Sequence, residues 1–116
     1  MKKTFAATIL SCVLMMPGTL FAQACEQPGE VQLPDGATAS TDQMVSGQKA
    51  VKDYIAQGEA FLACMEELEK ANGDTLTDEQ KLANVELYNS VVDKMQMLAQ
   101  SFNEQIKAYK AAQAEQ

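Results

Sequence analysis

The sequence contains no histidine, arginine or tryptophan, and its 16 acidic residues outnumber its nine lysines, giving a formal net charge of −7. Without histidine, the usual base that activates a serine or cysteine nucleophile is missing. A zinc site would lack nitrogen ligands and would have too few thiolates. An acidic chain without arginine is poorly suited to neutralising nucleic-acid phosphates. We therefore expect a protein that is not an enzyme, with no catalytic residue, no cofactor, no metal site and no nucleic-acid partner.

Acidic residues near the middle of the chain give the weak remaining candidates for chemistry. When Gly73 is aligned with the glycine of an EF-hand loop, Leu68 and Lys70 stand where carboxylates are needed, so calcium binding is not predicted. A cluster of three glutamates lies near the end of the first predicted helix, and we expect it to form a solvated face rather than a catalytic pair, because nothing nearby indicates the burial that would shift a carboxyl pKa. These are Glu66, Glu67 and Glu69.

The first 24 residues have the pattern of an export signal. Lys2 and Lys3 precede a predominantly apolar run over residues 5–16, and the small residues of Ala22-Gln23-Ala24 follow. The apolar run is too short to span a bilayer of about 30 Å as a helix. We therefore predict a signal peptide over residues 1–24, cleavage after Ala24, and a periplasmic or secreted protein without stable membrane insertion. Cleavage would remove two lysines and no acid, changing the formal charge from −7 to −9.

Two of the three cysteines stay in the mature chain, because Cys12 leaves with the signal. An even pair in an oxidising compartment favours a disulfide between Cys25 and Cys64. The alternative is lipid attachment to Cys25. That processing needs an aliphatic residue three positions earlier and a small one two positions earlier, where this sequence has Ala22 and Gln23, a poor fit.

Residues 25–39 contain two prolines and two glycines, a composition that predicts an extended arm. Pro34-Asp35-Gly36 indicates a turn near the end of this arm. After it come two capping boxes, Ser40 with Gln43 and Thr77 with Gln80, each of which begins a helix. We predict helices over about 41–71 and 78–112, the first ending at a left-handed Asn72-Gly73 cap.

The short connection between the two predicted helices favours antiparallel neighbours, so residues 40–116 form an all-α, coiled-coil-like helical hairpin. Apolar residues recur in the second helix with alternating spacings of three and four, the heptad pattern of a helix packed along another helix. They are Val85, Tyr88, Val92, Met95, Ala99, Phe102, Ile106 and Tyr109. The first helix has a matching stripe, in which Gly47 and Gly58 indicate either close backbone approach or a less stable helix.

The heptad positions also predict where the arm lies. An arm attached at Cys64 would cross the flank of the second helix that carries Val91 and Leu98, with Val31 and Leu33 above them. The opposite flank of the first helix carries Ile55 and Leu62, which nothing in this chain is left to cover. We hypothesise that these two residues form an interface, with a second copy in a homodimer or with another protein. The alternative is that both turn into the seam between the helices.

The motif Leu76-Thr77-Asp78-Glu79-Gln80 has the form L-T-x-x-Q and resembles the repeated motif of Spy-type periplasmic chaperones, which are helical, dimeric and exported. Three further segments look like small exported bacterial proteins of unassigned function. They are Pro34-Asp35-Gly36, the run from Gly47 to Tyr54, and Cys64. The first resemblance implies a chaperone, and the second implies export without a defined chemistry.

Taken together, the sequence predicts an exported, non-enzymatic helical protein that acts by protein–protein contact or self-assembly. The alternative function is that of a periplasmic chaperone-like or small hydrophobic-ligand binding protein, using the gap between the arm and the helices.

Overall fold

A computed structural model describes residues 25–116, and the predicted signal peptide lies outside these residues. The described chain forms helix α1 (Thr41–Asn72), a short 3-10 turn (Gly73–Thr75) and helix α2 (Asp78–Ala114). The two helices pack against each other, and no strand occurs between residues 25 and 116. The predicted all-α helical hairpin is therefore confirmed. The expected helix ends, 71 and 112, lie one and two residues short of the observed ends.

Capping boxes fix the beginning of both helices. The Ser40 hydroxyl accepts a hydrogen bond from the Gln43 backbone N–H, and the Gln43 side chain accepts one from the Ser40 N–H. Thr77 and Gln80 repeat this arrangement at α2. Each box satisfies N–H groups that the first helical turn leaves unpaired, which is why both helices begin where the sequence predicts.

The left-handed cap predicted at Asn72-Gly73 is wrong. Gly73 has φ −54° and ψ −35°, which is right-handed helical backbone, and no residue in the range 25–116 has a positive φ. The chain instead tightens into the 3-10 turn, where the Asn72 side chain donates to the Leu68 carbonyl and the Thr75 hydroxyl donates to the Asn72 carbonyl. Carbonyl groups at the end of α1 therefore find partners without a left-handed residue.

The core consists of two apolar clusters along the hairpin. The first, near the disulfide, is built on Cys25, Phe61, Met65 and Val91. The second, near the start of α1, is built on Met44, Val51 and Phe102, with Leu33 and Leu98 packed against it. Phe61 is the largest fully buried side chain, at 1% exposed.

The predicted stripe on α2 is wrong at its beginning. Val85 is 51% exposed, whereas Asn84, Val91 and Phe102 are the buried residues of this helix. The first half of α2 is therefore rotated so that the face carrying Asn84 and Val91 meets α1. Burial of Val91 beside Cys25 accounts for this rotation, because the arm supplies a third element that a two-helix heptad pattern does not include.

Close approach explains the glycines of the α1 stripe. A Cβ added at Gly47 would lie 2.8 Å from the Pro34 ring and 3.2 Å from Phe102. A Cβ added at Gly58 would lie 2.5 Å from the Met95 sulfur. Both glycines are buried, so of the two interpretations offered by the sequence, close packing is the one that the structure supports.

Neither helix within residues 25–116 contains an apolar stretch long enough to cross a lipid bilayer.

Candidate functional site

The hairpin has two flanks, one on each side of the seam between α1 and α2, and the arm covers only one of them. We call the covered side the arm flank and define it by Cys64 on α1 and by Val91 and Leu98 on α2. The other side is the open flank, defined by Ile55 and Leu62 on α1. These two flanks are the candidate contact surfaces.

The disulfide fixes one end of the arm. Cys25 and Cys64 are bonded, with their Cα atoms 5.8 Å apart and a sequence separation of 39. Cys25 is 3% exposed and belongs to the cluster that contains Phe61 and Val91. The structure therefore has the predicted pairing, and its arm begins inside the core.

A turn fixes the other end of the arm. The backbone N–H groups of Thr38 and Ala39 donate to the Asp35 carbonyl, closing the predicted turn. The Gly36 N–H donates to the Gln105 side-chain oxygen at 2.8 Å. A Cβ at Gly36 would overlap the Gln105 backbone carbonyl, so only glycine permits this contact without movement. The arm is thus attached to α1 at one end and to α2 at the other.

Between these two attachments, the arm borders an open groove of about 380 Å³ on the α2 side. Tyr54, 9% exposed, lies among the lining residues, and its hydroxyl makes no hydrogen bond with another described residue. The α2 wall includes the apolar side chains of Leu98 and Met97 and the charged side chain of Lys94. This groove is the gap that the sequence predicted between the arm and the helices, lined by Pro28, Gly29, Glu30, Val31, Gln32, Tyr54, Lys94, Met97, Leu98 and Ser101.

On the open flank, Ile55 and Leu62 are half-buried rather than fully exposed. Leu62 packs against the cluster of Phe61 and Val91, and Ile55 packs against the cluster of Phe102. Both residues thus turn partly into the seam, as the alternative in the sequence analysis described. Their role as an interface stays a prediction.

The same flank receives apolar residues from α2 that the heptad pattern had assigned to the seam. Val85, Val92 and Ala99 recur every seven residues and therefore share one face of the helix. Val92 and Ala99 are half-buried, and Val85 is more than half exposed. Successive helix positions are about 100° apart, so with Val91 turned toward α1 and the arm, we infer that this face lies at the edge of the open flank.

A polar contact crosses the seam at the edge of the open flank. The Tyr88 hydroxyl donates to a Glu66 carboxylate oxygen at 3.0 Å. This hydrogen bond, followed by the negative charge of Glu66 and a smaller desolvation effect, raises the pKa of Tyr88 above its ordinary value of 10.0. Tyr88 lies one turn before Val92, and Glu66 one turn after Leu62, so the pair limits the apolar surface at this end.

The remaining charged side chains lie in solvent. All three residues of the glutamate cluster are exposed, as the sequence predicts. Two ion pairs, Lys49–Asp53 and Lys107–Glu104, join neighbouring turns of the same helix at exposed positions, so we expect each to contribute little. Within residues 25–116, no group of three or more acidic or thiol side chains is arranged to hold a metal ion.

Sequence reasoning missed two parts of this arrangement. The contact between Gly36 and Gln105 spans 69 positions, and no periodic signal connects them. Tyr54 is buried, as its place in the core stripe predicts; its additional position in the wall of the groove follows from where the arm runs. A hydroxyl on an otherwise apolar stripe was the available signal, because a buried tyrosine usually places its hydroxyl near a partner or water.

Comparison of this chain with protein-family models, with curated proteins and with solved structures finds no match.

Proposed function

We propose that this chain is an exported, non-enzymatic helical protein that acts by protein–protein contact or self-assembly through the open flank. The observation that carries the proposal is the asymmetry of the hairpin. The arm packs beside Val91 and borders Leu98, whereas Val85 is 51% exposed and Ile55 and Leu62 are only half-buried.

Export is part of this proposal. A disulfide in a small domain is typical of an oxidising compartment, and the pattern of residues 1–24 is that of a signal peptide. The missing histidine supports a role without nucleophile–base catalysis.

Light scattering of the disulfide-bonded protein over a range of concentrations tests the contact. We expect a species larger than the monomer, or a cross-linked partner, that is lost when Val85→Glu or Leu62→Glu places a charge on the open flank. Val45→Glu is the matched control, because Val45 is 59% exposed and lies about 150° around α1 from the mean direction of its buried residues.

Val85→Glu is the more informative variant, because Leu62 also packs in the core and its replacement can reduce stability. Circular dichroism of each variant separates loss of contact from loss of fold. A protein that is monomeric at every concentration, captures no partner and is unaffected by both substitutions would count against the proposal.

The second candidate function is that of a chaperone-like or small hydrophobic-ligand binding protein, and the groove beside the arm is the observation that favours it. Its volume of about 380 Å³ lies within the range of small-molecule sites, and apolar side chains contribute much of its wall. A thermal shift with dodecanoate, or suppression of a client protein's aggregation, would support this function. Substitutions on the open flank should leave either effect unchanged.

A further inference from the structure

We propose that the groove beside the arm binds an extended polypeptide segment, which adds as a strand to residues 29–33. This inference concerns the arm flank and goes beyond the contact proposed for the open flank. It gives the groove of the second candidate function a peptide as its occupant, in place of a hydrophobic small molecule. The groove is a separate surface from the open flank, and either one can fail without the other.

The backbone of the arm carries the argument. No hydrogen bond joins the backbone of residues 26–34 to any other described residue. Residues 29–33 lie between Pro28 and Pro34, so five consecutive residues each keep a backbone N–H and a carbonyl for a partner. An extended segment with unpaired groups of this kind is a template for strand addition.

Burial along the arm already follows the alternation of a strand. Val31 and Leu33 are half-buried, and Leu33 packs against the cluster of Phe102, whereas Glu30 and Gln32 are exposed. Successive side chains of a strand point to opposite faces, so this segment has one face on the helices and one face in solvent. Its two edges are then free to pair, and one of them borders the groove.

The groove supplies the remaining elements of a peptide site. Arm residues 28–32 form one wall, which at about 3.3 Å per residue accommodates a segment of roughly five residues. Leu98 and Met97 on the other wall offer apolar contacts for alternate side chains. The Tyr54 hydroxyl, without a partner in the described chain, is available to a peptide carbonyl or N–H.

Charge argues for a partner other than a second copy of this arm. The chain is acidic overall, with a formal charge of −7, and the exposed face of the arm carries Glu30. Two arms paired antiparallel about Val31 would place each Glu30 opposite Gln32 of the second copy and diagonal to its Glu30, about 7–8 Å away, where the two negative charges repel each other. Glu30 and Lys94 give the groove wall one charge of each sign, so we assign it to an apolar extended segment of another protein.

The test uses a capped pentapeptide of alternating valine and lysine, together with a second peptide of the same side chains whose backbone nitrogens are all methylated, so that neither edge can donate a hydrogen bond to the arm. The disulfide-bonded protein is titrated with each while its amides are followed by NMR. We expect binding of the first peptide to slow hydrogen exchange at every second backbone amide of the arm, because successive N–H groups of a strand point to opposite edges. The protected set is either residues 30 and 32 or residues 29, 31 and 33. The methylated peptide should bind at least about tenfold more weakly, the effect of losing one or two backbone hydrogen bonds.

A substitution in the groove gives an independent check. Tyr54→Phe removes the hydroxyl and keeps the ring, so the fold should be unchanged and the pentapeptide should bind about threefold to tenfold more weakly. Val45→Glu, remote from the groove, should not alter its binding.

Four results would overturn the proposal. The first is no binding of the pentapeptide, and the second is equal binding of both peptides, which would show capture by side chains or charge alone. The third is protection of the arm amides by rising protein concentration alone, which would identify a second copy as the occupant. The last is binding of dodecanoate in place of the peptide.

Discussion

The two flanks of the hairpin are built differently. The arm flank has a third layer, which is attached through Cys25 at one end and through Gly36 at the other. The open flank consists only of what the two helices provide, and there Val85 is more than half exposed. A pair of helices cannot by itself bury broad apolar stripes, so covering one flank concentrates the packing on that side. We expect stability to depend mainly on the arm flank, and contact with other molecules to depend on the surfaces that remain.

Among the variants that test this comparison, removal of the disulfide should lower the free energy of unfolding most. In Cys25→Ser with Cys64→Ser, the loop of 39 positions is no longer closed, and the entropic model predicts a loss of about 4 kcal/mol in the free energy of unfolding. Urea titration of the variant and the oxidised protein measures the change. Equal midpoints would show that the arm contributes no stability through its covalent bond.

The glycine of the arm turn should have the next largest effect. Gly36→Ala forces the turn away from the Gln105 backbone and should lower the free energy of unfolding by about 2 kcal/mol, as overpacking commonly does. Thermal denaturation measures this. Gly29→Ala is the matched control in the same arm, because nothing lies within 4 Å of the added Cβ. A loss of the same size in both variants would contradict the specific contact.

The two buried glycines of α1 should respond differently, because they face different parts of the molecule. Alanine in a helix interior is favoured over glycine by about 1 kcal/mol. Gly58→Ala meets the flexible end of Met95, which can move, so we expect it to be neutral or stabilising. Gly47→Ala meets the Pro34 ring, which the arm holds in place, so we expect a net loss of about 1 kcal/mol.

Chemical denaturation of the two single variants compares them directly. If Gly47→Ala stabilises the protein as much as Gly58→Ala does, the arm near Pro34 is not held against α1, and the contrast between the flanks is weaker than proposed.

The smallest predicted effect on stability comes from the hydrogen bond between Tyr88 and Glu66 at the edge of the open flank. Because the Glu66 hydrogen bond raises the pKa of Tyr88, the folded state holds this proton more tightly than the unfolded state does. The resulting stability is fully present below the ordinary tyrosine pKa and is lost as the pH rises through the raised value. Ultraviolet titration of the protein, with Tyr88→Phe to assign the transition, should place this tyrosine above pH 10.0.

Glu66→Gln should lower the pKa of Tyr88 toward its ordinary value, since it removes the charge, whereas Glu67→Gln on an exposed neighbour should not. A transition unaffected by Glu66→Gln would show that the bond across the seam does not form in solution.

Much of the fold could be predicted from local signals. Ser40 and Thr77 mark the beginnings of the helices because a cap uses residues only three positions apart. The pairing of Cys25 with Cys64 followed from cysteine count and compartment. Placement of the arm above Val91 and Leu98 followed from heptad positions once that pairing was assumed.

The rotation of α2 and the site beside the arm could not be predicted in this way. Heptad spacing gives a stripe that is several positions wide, and a third packed element decides which edge of it is buried. Asn84 and Val85 show the outcome, because the polar neighbour is buried and the apolar one is exposed. Docking of Gly36 on Gln105 depends on tertiary contact alone.

The most direct test of the central claim is the intact mass of the protein, expressed from the full sequence in a bacterium and purified from the cell envelope without reductant. If the arm is bonded to α1 through the disulfide, the protein should have the mass of residues 25–116 less two hydrogens. After proteolysis, the peptides that contain Cys25 and Cys64 should remain linked. Two free thiols, or a fatty-acyl mass on Cys25, would contradict the clamped arm and the distinction between the two flanks that depends on it.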